Sequence, residues 1–99
     1  MTDLEMTRLC EDAIISAAIK ESNGGVVCYA VGYKDEYDPL HDDAQAMALV
    51  KWFGMEMSRA QTGEWFVRHF LCGSEAIINT DLNRAIVECV AKMQAAKNV

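Results

Sequence analysis

The sequence has little of what would place it in a membrane or outside the cell. No apolar run approaches the ~18 consecutive residues that a membrane-spanning helix needs. The first residues, MTDLEMTRLCEDA, carry acids early and lack the basic segment and apolar stretch of a signal peptide. We therefore expect a cytoplasmic protein with no membrane contact.

Closely spaced cysteines are also missing. Four cysteines lie far apart, with no C-x-x-C spacing: Cys10, Cys28, Cys72 and Cys89. Each has apolar neighbours, and a reduced cysteine packs as a small hydrophobic side chain. We expect all four to remain reduced and to fill the core. The alternative is a nucleophilic dyad in which Cys72 or Cys28 pairs with His69.

Positive charge is scarce. Lys and Arg number 9 against 15 Asp and Glu, so the formal net charge is −6. Nucleic-acid binding depends on basic side chains that neutralise phosphates, so this composition argues against it. A local basic face that includes Arg59, Arg68 and Arg84 would favour nucleic-acid binding despite the negative net charge of the chain. A basic protein partner is electrostatically favoured.

Sequence signatures of catalysis are absent as well. The chain contains no phosphate-binding glycine loop and no EF-hand loop. His41 precedes Asp42 and Asp43, but neighbouring residues at a helix start point in different directions, whereas zinc needs three or four converging ligands. We therefore predict helix capping here, with no catalytic residue, no metal site and no cofactor. The alternative is a small enzyme or metal-binding protein that uses His69, His41 and a cysteine.

The first part of the sequence contains clear patterns for a helix and then a strand. Thr2 and Glu5 have the spacing of a capping box, which predicts a helix over residues 3–21 that the following SNGG segment ends. Residues 26–33, VVCYAVGY, are rich in β-branched and aromatic side chains and predict a strand.

A second helix is predicted in the segment YDPLHDDAQAMALVKWFG. Asp38 could cap it, with Pro39 in its first turn, or Asp42 could cap it. Gly54 is expected to end this helix because glycine accepts the left-handed conformation.

The second half of the chain predicts a hairpin and a final helix. Residues 55–60 and 64–71 read as two strands joined by a short turn that contains glycine. A further short strand is possible at residues 75–78. Asn79 or Thr80 is then expected to cap the last helix.

These elements predict one αβ domain over residues 1–99. The fold class is α+β: a three-layer α/β/α sandwich with a small, mainly antiparallel sheet and the element order α-β-α-β-β-α. The three layers are expected because the second hairpin strand carries bulky apolar side chains on both faces. Apolar surface left uncovered by so few helices would favour a homodimer.

An acidic segment before and at the start of the second helix is the candidate interaction patch. It consists of Asp35, Glu36, Tyr37, Asp38, His41, Asp42 and Asp43. A solvated face is the default interpretation of such residues, and the alternative is a docking patch that binds a basic partner.

Three segments, YDPLHDDAQAMALVKWF, EWFVRHF and DLNRAIVECVAKM, together resemble the small phage and prophage proteins of the phage ABA-sandwich type. In that family a tyrosine–x–proline segment precedes a helix, and the terminal helix carries an A-I-x-x-A/C core. The matching positions are Tyr37, Pro39, Asp42, Asp43, Ala85, Ile86 and Cys89. The resemblance covers residues 26–97. It implies a helix–sheet–helix sandwich of phage or prophage origin and brings no catalytic residues with it.

The combined expectation is a non-enzymatic phage or prophage accessory protein. It would act through protein–protein contacts with a host or phage partner.

Overall fold

A computed structural model describes residues 1–22, 37–69 and 76–97 of the chain. The strand predicted at residues 26–33 lies outside the described residues, and so do Cys28, Cys72, Asp35 and Glu36.

Helix α1 spans Asp3–Ser22 and begins as its capping box predicts. The Glu5 backbone N–H donates to Thr2 Oγ1 at 3.1 Å, and the Thr2 N–H donates to Glu5 Oε1 at 3.4 Å. These two bonds satisfy backbone donors that have no partner within the helix.

Helix α2 spans Asp43–Phe53, and its cap is Asp42 rather than Asp38. Asp42 Oδ1 accepts from the Gln45 N–H at 3.0 Å. Pro39 lies in a turn closed by the His41 N–H and the Asp38 carbonyl at 3.1 Å, where its fixed φ is suited to the bend. Gly54 ends the helix at φ 63°, as predicted.

The sheet has three described strands in the order β1-β2-β3, and both strand pairs are antiparallel. The strands are β1 (Glu56–Arg59), β2 (Trp65–Arg68) and β3 (Ile77–Asn79). The hairpin turn between β1 and β2 contains Gly63 at φ 93°, a conformation that a side chain would strain. The predicted hairpin is therefore confirmed, and β3 falls close to the further short strand considered at residues 75–78.

Helix α3 spans Leu82–Lys97, and its cap differs from the prediction. Asp81 Oδ1 accepts from the Arg84 N–H at 3.2 Å, which is the bond that an N-cap makes. Asn79 instead ends β3, opposite Trp65, and its side chain accepts from the Asp81 N–H at 2.9 Å. Sheet pairing therefore holds Asn79 in extended conformation and moves the cap two residues along the chain.

The core is built around α3, which packs against α1, α2, β2 and β3. Buried residues cover most of its circumference: Ala85, Ile86, Val87, Cys89, Val90, Ala91 and Met93. The accessible residues among those whose burial is described form a narrow stripe, on which Lys92 lies 3.8 Å from Glu88.

The α+β class and the antiparallel sheet are confirmed. The described elements match the predicted order at both early helices, the hairpin and the last helix. The principal helix contacts of the sheet are with α3. Within the described residues, no helix has the length and apolar character required to cross a bilayer.

Candidate functional site: an acidic surface at three helix starts

Three helices begin at the same end of the molecule. At this end Arg84 of α3 donates to Asp3 Oδ1 of α1 at 2.7 Å. Asn83 of α3 donates to Asp43 Oδ1 of α2 at 2.8 Å. These two bonds bring together residues that are 81 and 40 positions apart in the chain.

Exposed aspartates collect where the three helices begin, because each helix start favours a nearby negative charge. We call this surface the acidic end: Asp3, Asp38, Asp42, Asp43 and Asp81. All five are exposed. Among the described residues, the ion pairs of this surface contain one full positive charge, that of Arg84. Five carboxylates and one guanidinium leave this surface strongly negative within a chain whose net charge is −6.

Local hydrogen bonds hold the loop that precedes α2 against the helix. The Asp38 N–H donates to Gln45 Oε1 at 2.6 Å, and His41 Nδ1 lies 2.8 Å from Asp38 Oδ2. The His41 side chain is 76% exposed, so its ring is available at the surface. The geometry thus fixes the backbone of the acidic end while leaving its charged groups in water.

The ion pair between α1 and α3 shifts the pKa of both partners. The hydrogen bond from Arg84 lowers the pKa of Asp3 below its ordinary 3.8, and the charges of Arg84 and His41 lower it further. The same hydrogen bond raises the pKa of Arg84. Asp3 is therefore ionised wherever the protein is near neutral pH.

A cleft of about 390 Å³ opens between the starts of α2 and α3. Its lining residues are Asp43, Met47, Thr80, Asp81, Leu82 and Asn83. Met47 and Leu82 are half-buried and supply apolar surface, whereas Asp43 and Asp81 are exposed carboxylates. This combination suits a long side chain that has an apolar stem and a positively charged tip.

The structure corrects the predicted patch at one position and extends it at others. Tyr37 is only 8% exposed and belongs to the core, so it is not a surface contact. Asp3 and Asp81 were missed because they lie far from the acidic segment in sequence. Their helix-start positions were the available signal, but their convergence depends on how the helices pack.

The histidines and described cysteines occupy different environments. His41 is exposed, whereas His69 is 5% exposed. Cys10 and Cys89 are reduced and fully buried. Burial raises the pKa of the Cys10 thiol to about 12, with smaller contributions from Cys89 and Glu11, and a thiol in that state is a poor nucleophile. Among the described residues, no three His, Cys, Asp or Glu side chains are grouped to hold a metal ion.

The three arginines considered for a basic face are each engaged in other contacts. Arg68 lies 2.6 Å from Glu56, and Arg84 lies 2.7 Å from Asp3. The Arg59 guanidinium lies over the Trp65 ring, 5.6 Å from its centre. Carboxylates therefore offset two of the three positive charges.

Comparisons of the chain with protein-family models, with curated proteins and with solved structures found no match.

Proposed function

We propose that this chain is a non-enzymatic, cytoplasmic accessory protein of phage or prophage origin, and that it binds a basic protein partner through its acidic end. The phage origin rests on the resemblance of its sequence segments to the phage ABA-sandwich type. The binding role rests on one observation: the cleft beside Asp43 and Asp81 combines apolar surface with exposed carboxylates.

A lysine or arginine side chain of the partner fits the chemistry of this cleft. Its methylene stem would cover Met47 and Leu82, and its charged tip would lie near Asp43 and Asp81. The remaining aspartates of the acidic end would attract further basic residues and speed the encounter.

A lysine-rich synthetic peptide tests this role directly. We expect the protein to bind the peptide with an affinity that falls as salt increases, since the attraction is largely electrostatic. Acetylation of the lysines keeps their length but removes their charge, so the acetylated peptide should not bind.

Two matched variants locate the binding surface. Asp38→Asn, Asp42→Asn, Asp43→Asn and Asp81→Asn together remove four charges, and asparagine preserves both helix caps. Asp12→Asn, Glu56→Gln, Glu64→Gln and Glu88→Gln remove four charges elsewhere. We expect the first variant to weaken binding at least about tenfold and the second less than about threefold.

Equal losses in the two variants would show that net charge alone drives binding and would overturn the proposed site.

The same pair of variants can be used to recover the natural partner from host and phage-infected lysates. The expected partner is retained by the wild type and by the second variant, and is lost with the first. If no protein in either lysate behaves in this way, the proposed role is wrong.

A further inference from the structure

One face of the sheet points away from α3 and carries alternate residues of all three strands. The register aligns Glu56 with Arg68, Ser58 with Phe66, and Phe66 with Ile78, so these side chains share one side. We call this surface the open face: Glu56, Ser58, Phe66, Arg68 and Ile78. The opposite side holds Val67 and Ile77, which are buried.

The open face exposes apolar surface at its centre. Ile78 is 52% exposed although it lies in the middle of β3, and Phe66 beside it is half-buried. A groove of about 290 Å³ runs along this side of the sheet. It is lined by Glu56, Met57, Ser58, Phe66, Arg68 and Ala76. Covering apolar side chains of this kind is favourable, so the face is suited to contact with another surface.

The charges of the open face distinguish it from the acidic end. Glu56 and Arg68 form a cross-strand ion pair at 2.6 Å, so one acid and one base leave the face neutral. Two copies of a chain with net charge −6 repel each other, and a neutral face is where they can approach at least cost. A surface with one acid and one base is also complementary to itself under two-fold symmetry.

We propose that the open face is the contact surface of a symmetric dimer, packed against the open face of a second copy of this chain. A two-fold axis through Phe66 stacks Phe66 on the second copy's Phe66. This axis is tilted from the direction of β2 toward Glu56 by half of the roughly 30° at which two aligned sheets cross. Neighbouring strands lie about 4.8 Å apart, and alternate residues along a strand lie about 6.8 Å apart. With these spacings, the two-fold rotation brings Glu56 over the second copy's Arg68. The same operation sets Ile78 over the second copy's Ser58.

This arrangement agrees with the general geometry of packed sheets, in which strands of two aligned sheets cross at about 30°. It creates two ion pairs between the copies, because each copy contributes one Glu56 and one Arg68. Few residues take part, so we expect a weak dimer with a dissociation constant of about 10–100 μM. The dimer does not depend on the binding role proposed for the acidic end, and either proposal can be refuted while the other holds.

Charge reversals test the dimer when measured by sedimentation between about 5 and 500 μM. The wild type should change from monomer to dimer across this range. Glu56→Arg puts two bases on each open face, and Arg68→Glu puts two acids there. Each variant alone should therefore weaken association at least about tenfold. An equimolar mixture of the two should form a heterodimer, because opposite charges now face each other.

The mixture separates contacts between copies from contacts within one copy. The ion pair within each chain is broken in both variants and stays broken when they are mixed, so recovery can come only from contacts between chains. Glu88→Lys and Lys92→Glu change the same charges at an ion pair on α3, outside the open face, and serve as the control. These controls should dimerise like the wild type, both alone and mixed.

Circular dichroism should show that every variant is folded. A wild type that is monomeric throughout would overturn the dimer. Single variants that associate as tightly as the wild type would show that another surface is used. A mixture that remains monomeric would also contradict the proposed pairing.

Discussion

At the scale of single residues, Cys10 shows how burial changes chemistry. Its thiol is fully buried, donates to the Val87 carbonyl at 3.5 Å, and has a pKa raised from 9.0 to about 12. In the unfolded chain the thiol ionises near its ordinary value. Folding stability from this group is therefore complete below pH 9 and is lost as the pH rises from about 9 toward 12.

Cys10→Ala should remove this loss of folding stability at alkaline pH. The variant is expected to be less stable than the wild type at pH 8, since it leaves a small cavity, but the difference should shrink as the pH rises. The wild type loses up to about 1.4 kcal/mol per pH unit through this one group. Urea unfolding between about pH 8 and pH 10.5 measures both curves.

Val87→Ala is the control for this experiment, because Val87 is equally buried but does not titrate. Its destabilisation should stay constant over the same pH range. A constant difference for Cys10→Ala as well would show that the thiol does not ionise on unfolding.

The Asp3–Arg84 ion pair predicts a pH dependence on the acid side. The pKa of Asp3 is lowered in the folded state, so its contribution to stability is present above its ordinary pKa of 3.8 and is lost as the pH falls through the lowered value. Asp3→Asn should therefore destabilise the protein at neutral pH, with the difference from the wild type vanishing in strong acid.

Unfolding in urea at a series of pH values checks this expectation. Asp12→Asn removes an exposed carboxylate from the same helix without touching Arg84, and should have the smaller effect at neutral pH. If Asp3→Asn is no more harmful than this control, the ion pair contributes nothing to stability, as many exposed pairs do not.

At the scale of secondary structure, the start of α3 shows that strand pairing can override a local signal for a helix cap. Asp81→Ala removes the side chain that accepts from the Arg84 N–H, and should lower the unfolding free energy by about 1 kcal/mol. Thr80→Ala should have a much smaller effect because Thr80 does not hold the cap. Thermal or urea unfolding of the two variants ranks them, and the reverse order would restore the cap predicted from sequence.

Element boundaries could be predicted where a few neighbouring residues decide them. The capping box at Thr2, the helix stop at Gly54 and the glycine-containing hairpin turn are all local signals of this kind. The cap of α3 was misplaced because pairing of Asn79 with Trp65 is a contact between distant parts of the chain.

Burial and site composition were harder to predict for the same reason. The spacing of apolar residues in α3 predicts one apolar stripe, formed by Leu82, Ile86, Cys89, Val90 and Met93. Val87 and Ala91 lie outside that stripe and are also buried, because α1 and α2 pack on the helix as well as the sheet. Tyr37 lies within the acidic segment and so belongs to the predicted patch, but its side chain is buried. Asp3 and Asp81 joined the acidic end only through packing between helices.

At the scale of the whole molecule, α3 is the element that connects the other parts. It contacts α1 and α2 as well as β2 and β3, so a defect in its core should weaken all of them together. Ile86 is fully buried in this helix, whereas Ile78 on the open face is 52% exposed. The same substitution at these two positions therefore measures what burial at the centre of the fold contributes.

Ile86→Ala should lower the unfolding free energy by about 2–5 kcal/mol, and Ile78→Ala by less than about 1.5 kcal/mol. Helix content by circular dichroism and tryptophan fluorescence from Trp52 on α2 and Trp65 on β2 should give the same midpoint in each variant. Coincident midpoints are expected because the helices and the sheet share one core through α3. Separate midpoints in Ile86→Ala would show that the helices and the hairpin unfold independently, and that α3 does not couple them.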